Sequence, residues 1–84
     1  MKHAGAAALE ALSGLLASLR TRALIEKRPG IFYRKDKAFL HFHEDRAGLF
    51  ADLRDGNDWQ RLPVNNFDER AKLLALVDCS IAGV

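Results

Sequence analysis

The hydrophobic period of this chain changes at Pro29-Gly30, and that change limits what the chain can fold into. Before it, Leu9, Leu12, Leu16 and Leu19, with Ala23 next, recur at steps of three and four, which places them on one stripe of a helix. Ala8, Ala11 and Leu15 widen the stripe beyond a coiled-coil seam, so the helix from Ala4 to about Arg22 is read as lying on a sheet. After the turn the period is two. Ile31-Phe32-Tyr33-Arg34 and Ala38-Phe39-Leu40-His41-Phe42-His43, split by Lys35-Asp36-Lys37, read as a β-hairpin. Leu49 to Leu53 is a third strand, Asp55-Gly56-Asn57-Asp58 a turn, and Trp59 to Val64 a fourth strand at an edge, because Pro63 cannot donate to a ladder. The segment Ala23 to Arg28 fits either the end of the helix or a short edge strand.

The helical period then returns. Asn66 with Glu69 three residues on has the form of an N-cap and its reaching carboxylate, and Phe67, Ala71, Leu74, Val77 and Ile81 make an apolar stripe behind it. Eighty-four residues hold one core, since a chain this short buries only about 60–65% of its unfolded surface. A composition of 49% hydrophobic and 29% charged residues supports collapse over disorder. Cys79 is the single cysteine, which excludes an internal disulfide, a cysteine-rich zinc site and a Cys-x-x-Cys redox pair. It is read as an inert packing residue of the last helix. The Ala/Leu run near the start is interrupted by Glu10 and Gly14 and ends at Arg20 and Arg22, too early for a spanning segment.

Strand parity decides which side chains share a face. A two-residue loop between the first two strands would put Ile31, Tyr33, Ala38, Leu40 and Phe42 together, joined by Leu49, Ala51 and Leu53 across the next loop. That is the expected core face. The other face would carry Phe32, Arg34, Phe39, His41, His43, Phe50, Asp52 and Arg54, joined by Trp59 or its strand neighbours. Three exposed phenylalanines in one cluster imply that this face meets something.

Three kinds of chemistry fit that face. His41-x-His43 sets two imidazoles on one side of a strand about 6.5–7 Å apart, a spacing that suits a divalent metal, with Asp52 as a third ligand and Glu44, Asp45 or His3 as remoter ones. The same His41 and Asp52 are the best pair for acid–base work; no phosphate-binding glycine loop or nucleophile elbow is present. Arg20, Arg22, Lys27, Arg28, Arg34, Lys35 and Lys37 outnumber Glu26 and Asp36 between residues 20 and 37, a pattern for attracting a polyanion, although the whole chain carries only +2.

The run Lys35-Asp36-Lys37-Ala38-Phe39-Leu40-His41-Phe42 resembles the core motif of RNA-recognition domains at Lys35, Ala38, Phe39 and Phe42. Asp36 stands where that motif has glycine and Lys37 where it has a stacking aromatic, and the β-α-β-β-α-β order is absent. The stretch from Pro29 to Arg54 resembles small uncharacterised bacterial proteins of about this length, a likeness that brings no activity with it. The hairpin-rich middle with flanking helices is more distantly similar to small bacterial proteins of the double-wing, DNA-binding-like type, and no functional residue of that type maps onto this chain.

The expectation is an α+β fold, one domain over residues 1–84, with an N-terminal helix, an antiparallel sheet of about four strands and a C-terminal helix, both helices on one sheet face. The leading functional expectation is a non-catalytic cytoplasmic module that pairs with a second copy or another protein through Phe32, Arg34, Phe39, His41, His43, Phe50, Asp52 and Arg54. A metal site or histidine-based enzyme or sensor at His41, His43 and Asp52 is the second reading. Nucleic-acid binding through Arg20, Arg22, Lys27, Arg28, Lys35 and Lys37 is the third. No cofactor and no membrane partner is expected.

Overall fold

A computed structural model describes residues 2–83. The chain runs β1 (Lys2–His3), α1 (Ala6–Ala11), α2 (Ser13–Arg20), β2 (Ile25–Arg28), β3 (Ile31–Arg34), β4 (Lys37–Asp45), β5 (Gly48–Asp55), β6 (Asp58–Pro63) and α3 (Phe67–Ile81). The fold is α+β. Its antiparallel sheet has the order β2-β3-β4-β5-β6, and β1 pairs with β4. β3 takes residues 37–41 of β4 and β1 takes 43–44, so the two lie along the same edge of that strand.

Six strands replace the expected four. β2 resolves the choice at Ala23 to Arg28 in favour of an edge strand. β1 carries no period of its own, because two residues are too few to show one. Lys2 meets Glu44 at 3.3 Å, the Gly5 N–H donates to the same carboxylate at 2.9 Å, and the Ala4 N–H donates to the Phe42 carbonyl at 3.0 Å. The expected first helix is present as α1 and α2, broken at the fully buried Leu12, whose carbonyl still accepts from the Leu16 N–H at 2.9 Å. Gly30 is required by the turn before β3: its φ is +77°, and an added Cβ would lie 2.6 Å from Leu9 Cδ2.

Between β3 and β4 the register shifts. Arg34 faces Lys37 and Tyr33 faces Ala38, as a two-residue hairpin loop requires, but Phe32 faces Leu40 and Ile31 faces His41. Phe39 is the extra residue of a β-bulge. The bulge brings Phe32, 1% exposed, and Phe39, 5% exposed, into one core cluster with Leu40, Phe42, Ala51, Leu53, Leu62 and Val64. Leu12, Leu15, Leu16 and Leu19 of the N-terminal helices, with Leu73 and Val77 of α3, close that cluster. Ile31 and Tyr33, expected in the core, therefore belong to the opposite face. The carry-over to β5 is as expected, since Leu40 faces Leu53 and Phe42 faces Ala51.

The N-cap of α3 is as read. Asn66 accepts from the Glu69 N–H at 2.9 Å, and the Glu69 carboxylate accepts from the Asn65 N–H at 2.8 Å. The buried stripe is rotated from the expected one. Leu73 and Val77 face the sheet, while Phe67 is 82% exposed and Ala71 is exposed, because Leu73, Leu74, Leu76 and Val77 offer two overlapping stripes. Cys79, read as a packing residue, is exposed. Among the described residues no helix is long and apolar enough to cross a membrane.

Phe32→Ala is expected to cost about 3–5 kcal/mol in denaturant unfolding. Phe67→Ala, at an equally large side chain, is expected to stay within about 0.5 kcal/mol.

Candidate metal centre

The open side of the sheet is built on one register. His41 faces Asp52 and His43 faces Phe50 across the β4–β5 ladder; Asp52 faces Arg61 and Arg54 faces Trp59 across β5–β6. β1 then sets His3 opposite His43. Three imidazoles result, two at alternate residues of β4 and one opposite on β1. Their ligand nitrogens all lie within 4.8 Å of one another.

The side chains lean together more than backbone spacing implies. Nδ1 of His41 is 3.1 Å from Nε2 of His43, and Nε2 of His43 is 3.0 Å from Oδ2 of Asp52. His3 stacks on His43 with ring centroids 4.7 Å apart, and Trp59 lies against His41 at 4.3 Å. Asp52 is held from the other side: Nε and Nη2 of Arg61 donate to Oδ1 and Oδ2, both at 2.8 Å. With Asp52 6% exposed and His43 9% exposed, this is a buried polar cluster on a face that no helix covers.

Burial favours the neutral form of His41 and His43. His41 is held below the ordinary imidazole value first by burial and then by the neighbouring His43, with Asp52 pulling the other way. His43 is lowered for the same first reason, and Asp52 again opposes. Asp52 itself is held below the usual carboxylate range, chiefly by the hydrogen bonds from Arg61 and against the cost of burial. A carboxylate flanked by two neutral imidazoles is the charge state in which ring nitrogens can act as ligands.

Two nitrogens bound to one zinc-type ion at about 2.0–2.1 Å in tetrahedral geometry stand roughly 3.3 Å apart. The His41–His43 separation of 3.1 Å is close to that value. Nδ1 of His43 is buried with no hydrogen-bond partner among the described residues.

Five of the eight residues expected on the open face are there: His41, His43, Phe50, Asp52 and Arg54. Phe32, Arg34 and Phe39 are not. Phe32 and Phe39 are in the core, and Nη2 of Arg34 donates to the Ile81 carbonyl of α3 at 3.0 Å, because the bulge reverses the parity of β3 relative to β4. Of the remoter ligands, Glu44 is engaged by Lys2 and Gly5, and Asp45 accepts from the Ala47 N–H at 2.7 Å. His3 completes the cluster instead. Arg61, which orients Asp52, escaped sequence reading; its place opposite Asp52 follows from the Asp55–Asp58 turn once the pairing is counted. The basic segment is divided: Arg20 pairs with Glu26, Arg22 with Asp78, and Lys27 sits 4.4 Å over the Tyr33 ring.

A carboxylate only accepts, so Nε2 of His43 carries the proton in the metal-free protein, and Nδ1 of His41, facing that same N–H, is unprotonated. Long-range 15N–1H correlation spectra are expected to show the Nε2–H tautomer at both histidines; an Nδ1–H signal at His41 would contradict this network.

Comparison with protein-family models, with curated proteins and with solved structures finds no match to this chain.

Proposed function

We propose that this chain is a metal-binding module that holds a divalent ion of the zinc type with His3, His41 and His43. The convergence of three imidazole nitrogens within 4.8 Å carries the reading. Imidazole donors select zinc, copper and nickel over calcium and magnesium, which prefer oxygen. Asp52 supports the site from beside His43, oriented by Arg61, and at 3.0 Å from that ligand nitrogen is close enough to join the coordination. Three protein ligands leave a fourth position open to water or a partner's donor.

This reading is favoured over self-association through the same face. The aromatic centre that motivated a dimer consisted of Phe32, Phe39 and Phe50, and only the half-buried Phe50 remains on that side. What replaces it is polar: histidines, an acid–arginine pair and a tryptophan whose ring also carries Arg54 at 4.5 Å.

Calorimetric titration of untagged protein with zinc is expected to show one site. At free zinc a hundredfold above Kd the unfolding free energy should rise by about 2.7 kcal/mol. His3→Gln removes a ligand from an exposed two-residue strand that carries no core, so the variant folds; its affinity should fall by more than the roughly 10–100-fold that loss of an outer-shell partner costs. Absence of saturable heat, or unchanged affinity in His3→Gln, would refute the site.

A further inference from the structure

Separate from the histidines, the end of the sheet at the β3–β4 turn holds a cleft of about 340 Å³. Arg34, Lys35, Lys37 and Arg54 surround it, Asp36 is the one acid on its wall, and Phe39 and Ala38 supply apolar surface. Asp55 lies on the wall of the cavity that continues from it towards Ser80. We propose that this cleft binds the phosphate of a small phosphorylated ligand.

Three observations converge on an anion. None of the four cations forms an ion pair among the described residues, whereas Arg20, Arg22 and Arg61 all do. Both guanidiniums are anchored through one nitrogen by a neutral carbonyl, Arg34 on Ile81 and Arg54 on Ala38, which fixes their planes while leaving other N–H donors uncommitted. Lys35 is the only described residue other than glycine with a left-handed backbone, at φ 58°. Glycine or asparagine would fit that turn position with less strain, so the lysine places a cation at the cleft against the backbone preference.

The arrangement favours a small ligand over a nucleic-acid strand. A strand tracker needs cations spread along a groove with stacked aromatics between them. Here two of the residues that would extend the track, Arg20 and Arg22, are paired with Glu26 and Asp78, and four of the nine cations without an ion pair among the described residues surround one concavity. Its size lies at the lower end of the range for small-molecule sites.

Amide chemical shifts of the metal-free protein, kept in EDTA so that the histidine cluster takes no part, would be followed during titration with pyrophosphate, with adenosine 5′-monophosphate and with a twelve-nucleotide single strand. Saturable shifts at residues 34–38 and 54 with either small phosphate are expected, weakened at least fivefold by Arg54→Gln. Lys35→Gly removes a cation and relieves the left-handed backbone together. It should melt no lower than the parent yet bind the small phosphate at least threefold more weakly. No saturable shift at millimolar phosphate, equal affinity in Lys35→Gly, or binding of the oligonucleotide alone would each overturn the proposal.

Discussion

The register of β4 is the constraint on which the rest of this molecule depends. This one strand is paired with β3, β1 and β5, and the position of each partner's side chains relative to His41 and His43 follows from those pairings. The bulge at Phe39 lets two adjacent residues, Phe39 and Leu40, enter the same core and returns the remainder of the strand to strict alternation. Leu40 and Phe42 then face the helices, and the histidines between and beyond them face away. A slip of one residue would exchange those two sets, burying imidazoles under α2 and α3 and exposing the leucine and phenylalanine. Core packing and the placement of the site are thus enforced by the same apolar contacts.

Much of this was legible. The change of period at Pro29-Gly30, the turn at Asp55 to Asp58, the Asn66 cap and the parity linking β4 to β5 all rest on local chemistry, and His41, His43 and Asp52 share a face because of it. What escaped has a common cause in context that sequence spacing does not carry. The bulge depends on how large aromatic side chains fit beneath the helices, and it moved Phe32, Arg34 and Phe39 off the open face. β1 is too short to have a period and is fixed by Glu44 and the Phe42 carbonyl, residues about forty positions away. For that reason His3 could be named only as a remote ligand, although it stacks on His43. In α3 two stripes compete, and only the sheet decides that Leu73 and Val77 face inward.

The polar cluster shows why these residues belong together physically. A carboxylate as buried as Asp52 would be costly alone, and here both oxygens are bonded by Arg61 while His43 covers the inner side. Burial in turn keeps His41 and His43 neutral, so the same desolvation that makes the carboxylate dependent on Arg61 prepares the imidazoles as donors. On this face Trp59 lies between His41 and Arg54, with its ring 4.3 Å from the imidazole and 4.5 Å from the guanidinium.

The central claim, that β4 and β1 present three imidazoles to one ion, is tested most directly by X-ray diffraction from zinc-soaked crystals of untagged protein, collected on both sides of the zinc absorption edge. The expected result is a single anomalous peak about 2.0–2.1 Å from Nδ1 of His41, Nε2 of His43 and one ring nitrogen of His3. An anomalous map with no peak among these rings, or with zinc held by other side chains while His41 and His43 keep their mutual hydrogen bond, would contradict it.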